Sequence, residues 1–191
     1  FQHLGNLTPA ELAANETLDL GTITLQQGGT AVVRRLDDGE AKARFIGTGI
    51  GLKRSIGFST VGDTKRSSAT VPGDYLLLTS GKGIACTATP YTVRAGEETV
   101  IDVHVKKGTQ QLLKVTRADG AKVKPFSVYV RRGKELVARV WARAKPDGSA
   151  VGETWLLPGD YTLTGTKGDL TGATTFSVGA AAGPTASITL R

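Results

Sequence analysis

Val71-Pro72-Gly73-Asp74-Tyr75-Leu76-Leu77-Leu78 and Leu157-Pro158-Gly159-Asp160-Tyr161-Thr162-Leu163-Thr164 repeat one pattern at a spacing of 86 residues, Gly73 to Gly159. A fixed-period repeat decides the fold, because it makes the unit of folding half the chain. Two further pairs keep the same order. Upstream, Asp38-Gly39-Glu40-Ala41-Lys42-Ala43-Arg44-Phe45 matches Asp119-Gly120-Ala121-Lys122-Val123-Lys124-Pro125-Phe126 at a spacing of 81. Downstream, Tyr91-Thr92-Val93 matches Phe176-Ser177-Val178 at 85. Spacings that drift by a few residues are those of duplicated modules with altered loop lengths. The modules are expected at residues 28–105 and 108–191. Lys106-Lys107-Gly108 is then the joint, short enough to predict a semi-rigid rod.

Inside each half the apolar period is two, the mark of half-buried strands. Ile101, Val103 and Val105 alternate with Asp102 and His104. Phe126, Val128 and Val130 alternate with Ser127 and Tyr129, and Ala186, Ile188 and Leu190 with Ser187 and Thr189. About seven short strands per module, apolar on one face, need a second sheet to cover that face. In the Pro-Gly-Asp-Tyr phrase, Pro presets φ and Gly is expected to take the positive φ of a type II turn. Tyr75 and Tyr161 then enter the core, where each hydroxyl needs a partner. The one helix-compatible stretch is Pro9 to Asn15, about two turns.

The composition of the 191 residues agrees with short strands and tight turns: 25 Gly, no Met, and Asn only at Asn6 and Asn15. No apolar run approaches the roughly 20 residues of a membrane-spanning helix. A single cysteine, Cys86, excludes an intrachain disulfide. Scarce Cys and Met are compatible with an oxidising exterior, an extracellular or cell-surface setting. The first residue is Phe1, so processing or truncation of a longer product is expected. Asn6-Leu7-Thr8 and Asn15-Glu16-Thr17 fit a glycosylation sequon, which at this length is read as chance.

Asp147-Gly148, Leu156-Leu157-Pro158-Gly159-Asp160-Tyr161-Thr162-Leu163 and Phe176-Ser177-Val178, with a Thr-rich last strand, resemble the carboxypeptidase regulatory-like family. That family lies in the transthyretin-like (prealbumin-like) β-sandwich group, close to the Cna B-type modules of bacterial surface proteins. The resemblance covers both modules. It implies an all-β chain of two tandem antiparallel seven-stranded Greek-key sandwiches. It also implies a non-catalytic unit of a longer secreted or surface protein. Cna B-type modules often carry a Lys–Asn cross-link; with no Asn after residue 15, neither module here forms that bond internally. Transthyretin-like hydrolases and the related iron dioxygenases need histidine sets that His3 and His104 do not supply.

Residues 14–25 resemble the last strand of a module, with Leu18 and Leu20 in one parity and Ile23 and Leu25 in the other. Gly21 between them marks a bulge or break. Since each module already has a last strand, this one is spare. It belongs to a preceding module, covers an edge of the first module, or is donated to a neighbouring copy. Residues 1–25 carry three acids and no Lys or Arg, whereas 106–191 carry fourteen bases and six acids. Such asymmetry favours head-to-tail contacts, although uneven surface charge is the preferred reading.

Candidate chemistry is sparse. No cofactor is expected. Calcium is the one metal that the acids Asp37-Asp38, Glu97-Glu98 and Asp102 would suit, but they lack the spacing of a calcium loop and read as turn formers. Cys86 sits in an apolar strand-like setting and reads as an inert buried thiol. Gly47-Thr48-Gly49-Ile50-Gly51-Leu52-Lys53 lacks phosphate-loop spacing and reads as a glycine-rich strand or loop. The second module is basic, and Arg139, Trp141 and Arg143 share one strand parity near Tyr129. A solvated sheet face is the preferred reading, with a glycan or polyanion face as the alternative and nucleic acid disfavoured. The leading functional expectation is a non-enzymatic structural or adhesive module pair. Its partners would be further copies of itself or flanking domains.

Overall fold

A computed structural model describes residues 27–36, 42–50, 55–61, 64–181, 183 and 185–191. The described residues form fourteen β-strands and no helix. The helix-compatible stretch Pro9 to Asn15 and the spare strand with Leu18, Leu20, Ile23 and Leu25 lie outside the described residues, as do Asp37 and Asp38.

The first module contains β1 (Thr30–Arg35), β2 (Arg44–Gly49), β3 (Ser55–Val61), β4 (Thr64–Ser67), β5 (Gly73–Gly81), β6 (Ile84–Val93) and β7 (Glu98–Val103). The second contains β8 (Thr109–Arg117), β9 (Phe126–Arg132), β10 (Glu135–Ala144) and β11 (Ala150–Leu156). It continues with β12 (Gly159–Lys167), β13 (Leu170–Val178) and β14 (Ala186–Leu190). Neighbouring strands run β6-β5-β2-β3-β4-β1-β7 and β13-β12-β9-β10-β11-β8-β14. The second order is the first with seven added to every strand number. In each, three hairpin-linked strands are followed by a fourth that returns beside the first of them, the Greek-key arrangement. The outermost pairs, β1 with β7 and β8 with β14, are parallel. One strand per module bridges the two layers. β3 pairs with β2 through Ser55 to Gly57 and with β4 from Phe58 onward. β10 pairs with β9 over most of its length and with β11 only at Arg143 and Ala144. The result is two barrel-like sandwiches.

Each module has its own core. Ala31, Val33, Phe45, Ile56, Tyr75, Leu77, Tyr91, Val93, Ile101 and Val103 fill the first. The second is filled chiefly by Leu113, Val115, Val128, Val130, Leu156, Leu163, Ile188 and Leu190, all at most 2% exposed. Each such side chain contributes about 1.5–3 kcal/mol by leaving water.

The repeated phrase does the same work twice. Tyr75 Oη donates to Val71 O at 2.6 Å, and Tyr161 Oη to Leu157 O at 2.8 Å, both four residues back. Asp74 Oδ1 accepts from Thr92 Oγ1 at 2.7 Å, and Asp160 Oδ1 from Ser177 Oγ at 2.6 Å. Tyr75 stacks on Tyr91 and Tyr161 on Phe176, with ring centroids 5.5 and 5.7 Å apart. The glycines depart from the type II expectation. Gly73 and Gly159 have φ of +152° and +148°, well beyond the roughly +80° of that turn. The reason is that each is already the first ladder residue of its strand, opposite Val93 and Val178. This region of φ is essentially closed to side chains.

The copies differ by a slide. Gly49 lies opposite Tyr75, whereas Tyr129 lies opposite Thr164 and Arg131 opposite Thr162. If β5 and β12 are superposed on their tyrosines, Phe45 faces Thr79, but the matching Gly165 faces Val128 and not Phe126. The shift is two residues. An even shift keeps every side chain on its own face, which is why both registers are compatible with one core.

The joint is tied down. Ala85 N donates to Lys106 O at 2.8 Å and Gly108 N to Gly83 O at 3.0 Å. A Cβ on Gly108 would fall 2.7 Å from Ala85 Cα and 2.9 Å from Trp155 Cβ, so only glycine permits this approach. Cys86, in β6 of the first module, is 7% exposed and packs in the core of the second, its Sγ 3.1 Å from Thr154 Oγ1 on β11.

Candidate functional site

The outer face of the β13-β12-β9-β10 sheet gathers the candidate ligand residues. β9 alternates buried Phe126, Val128 and Val130 with outward Ser127, Tyr129 and Arg131. β10 would place Arg139 inward if it kept the parity of its first residues, since Leu136 faces Arg131 on the outside. A bulge between Leu136 and Ala138 absorbs one residue and reverses the parity. Val140 and Ala142 then enter the core, and Arg139, Trp141 and Arg143 point to solvent.

Three of the four candidates come together. Arg139 lies directly opposite Tyr129, and Trp141 directly opposite Ser127. Arg139 Nε donates to Ser127 Oγ at 3.0 Å, which holds the guanidinium across the neighbouring strand beside the indole. Trp141 is 56% exposed. Arg143 continues the same outward row but lies past the strand switch, opposite Val151 of β11. It ends the outward row.

Sequence parity found the β10 row. It missed what β12 and β13 contribute, because pairing partners are not encoded locally. Thr164 lies opposite Tyr129 and Ala173 opposite Thr164; Thr162 lies opposite both Arg131 and Thr175. Trp141, Arg139, Tyr129 and the threonine hydroxyls therefore share one surface. Neighbouring strands on it are about 4.8 Å apart, and alternate residues along a strand about 6.8 Å. Not every base near Tyr129 belongs to it. Arg131 Nη1 donates to Lys134 O at 3.1 Å, and Arg132 lies over the Tyr161 ring at 6.0 Å.

Five bases outside this face hold carboxylates. Arg34 pairs with Asp102, Arg66 with Glu98, Arg94 with Glu97, Lys114 with Asp147 and Arg117 with Asp119. Arg139 and Arg143 have no carboxylate partner among the described residues.

Other candidates resolve simply. Burial pushes the Cys86 thiol up from its ordinary value, which lowers its thiolate fraction and its nucleophilicity. Gly47 to Gly49 form the end of strand β2. His104 is exposed just beyond β7. Among the described residues no three His, Cys, Asp or Glu side chains gather as a metal site. No helix there is long and apolar enough to cross a membrane, which leaves β-barrels unaddressed.

No family model matches the sequence, and no curated protein matches it. Solved structures do resemble it in part. The Bacillus anthracis TIE protein is 15% identical, over 86% of this chain and 34% of that one, with a TM-score of 0.35. The major pilin subunit BcpA of Bacillus cereus is 10% identical, over 87% of this chain and 69% of that one, with a TM-score of 0.32. The minor pilin GBS52 of Streptococcus agalactiae is 10% identical, over 85% and 96%, with a TM-score of 0.29. The chain thus spans about a third of the TIE protein. At TM-scores of this size, any functional reading rests on the chain's own strands and side chains.

Proposed function

We propose that the chain is a non-enzymatic structural and adhesive unit of a secreted or cell-surface protein. In this reading its two modules act as one stiff element and are joined to flanking domains or further copies of itself. The observation that supports it most is the burial of Cys86 of the first module in the core of the second, beside a hydrogen-bonded joint. Modules linked only for proximity need no shared packing, and their usual relation is free relative motion. Here an apolar edge, Ile84-Ala85-Cys86, is covered instead.

Small-angle scattering tests the stiffness. Wild type should fit one inter-module arrangement, and Gly108→Val should broaden it by forcing the joint off Ala85. A wild-type profile that demands a wide ensemble of arrangements would remove the basis of the proposal. Head-to-tail fibre assembly is part of the same reading, motivated by acidic residues 1–25 and the basic second module. Electron microscopy at rising concentration tests it: salt-sensitive filaments are expected, and monodisperse single particles at every concentration would reject them.

A further inference from the structure

We propose that the outer face of the β13-β12-β9-β10 sheet binds an acidic polysaccharide, stacking a sugar ring on Trp141 and clamping carboxylate or sulfate groups with Arg139 and Arg143. This goes beyond the structural role and does not depend on it.

The first module offers an internal comparison for β10. The same strand of the first module, β3, presents Ser55, Gly57 and Ser59 outward. The scaffold is therefore built without aromatic or basic groups at the outward positions of this strand. Exposing an indole keeps a large apolar surface in water, a cost that the first copy avoids. Among the described residues Trp141 is the one aromatic side chain that is large, apolar and exposed.

Charge points the same way. Guanidinium groups favour bidentate pairing with carboxylate-like anions. Neither Arg139 nor Arg143 is neutralised by a carboxylate among the described residues, and these two sit beside an exposed indole. Arg139 and Arg143 flank Trp141 two residues to either side, each about 6.8 Å away along the strand. An anion on either side of one stacked ring meets that arrangement.

The lining selects among polyanions. Single-stranded nucleic acid is held by successive aromatic platforms, one per base. Here there is one exposed indole, with Tyr129 half-buried behind Arg139. The surface beside them carries the hydroxyls of Ser127, Thr162, Thr164 and Thr175, with Ala173 and Arg131 among them. A polymer that is itself rich in hydroxyls, with one ring to stack and anions spaced along it, suits that lining.

The test measures binding of the full chain to heparin and to polygalacturonate, with neutral dextran and poly(dT) as comparators. Wild type should bind at least one acidic glycan and not dextran; heparin alone would indicate sulfate recognition and polygalacturonate alone carboxylate recognition. Trp141→Ala and the double variant Arg139→Ala/Arg143→Ala should each weaken that binding about tenfold or more, with Trp141→Phe in between. Arg34→Ala/Arg66→Ala, which removes equal charge elsewhere, should leave it within about twofold. All these positions are exposed, and melting curves confirm that the variants fold. Equal losses from both double variants would mean unspecific charge attraction and overturn the proposal. So would an inert Trp141→Ala, binding of dextran as tight as that of the acidic glycans, or tighter binding of poly(dT).

Discussion

The edge at the start of β6 and the edge at the start of β13 occupy the same place in the two modules and look nothing alike. The first reads Ile84-Ala85-Cys86, all buried. The second reads Leu170-Thr171-Gly172, with Thr171 exposed and its neighbours half-buried. Even the backbone tie is shared: Ala85 N donates to Lys106 O, and Thr171 N to Arg191 O at 3.0 Å. One scaffold thus carries an edge made for contact and an edge made for water. Side chains set much of the difference, together with a bulge between Thr79 and Gly81 that the β12-β13 hairpin lacks, as expected where a docked module replaces solvent.

Charging both edges should separate them most strongly. Cys86→Arg places an unpaired cation in the second module's core and should destabilise that module by about 3 kcal/mol or more. Thr171→Arg should cost less than about 0.5 kcal/mol. Chemical denaturation of the two variants decides it. Similar midpoints would show that the Cys86 contact does not hold the modules together in solution.

The tyrosines differ between the modules in a second way. Tyr75→Phe and Tyr161→Phe each remove one part-buried hydrogen bond to a main-chain carbonyl, so each should cost about 1 kcal/mol. Tyr91→Phe should cost nothing or add stability. The Tyr91 hydroxyl is buried and finds no hydrogen-bond partner among the described residues, and desolvation pushes its pKa well above the ordinary tyrosine value. The second module already has Phe176 at this position. Thermal melts of the three variants check the ranking.

The smallest effect is one of pH. The Ser149 hydroxyl and amide donate to Asp147 Oδ1 at 2.6 and 3.0 Å, and Lys114 lies 3.2 Å from Oδ2; together they hold the Asp147 carboxyl at about 2. Its folded pKa is below the unfolded value near 3.9, so its stabilisation is present above that value. It is lost as pH falls from about 4 to 2. Asp147→Asn should flatten the melting temperature of the second module over that window. An unchanged slope would reject the assignment.

Much of the architecture was legible because the chain states it twice. The Pro-Gly-Asp-Tyr phrase, the alternation in Phe126 to Val130 and the tail from Ala186 to Leu190 are local signals with local physical meaning. Arg139, Trp141 and Arg143 were legible as one row for the same reason. What parity cannot show is pairing. The threonines beside Tyr129, the two-residue slide of β2 against β5 and the entry of Cys86 into the other module's core all depend on contacts distant in sequence. The φ of Gly73 was misread because a Pro-Gly pair looks like a turn, whereas the ladder had already begun there.

The parallel pairing of first and last strands also fixes how a module meets tension. Thr30 to Arg35 run alongside Glu98 to Val103 in six consecutive rungs, with Arg34 bonded to Asp102 across them. Because the strands point the same way, the start of β1 and the end of β7 sit at opposite ends of the ladder. Force drawn through the backbone would shear all the rungs at once instead of unzipping them one by one. β8 and β14 repeat that clasp, so a pull from either side meets two shear-loaded locks in series.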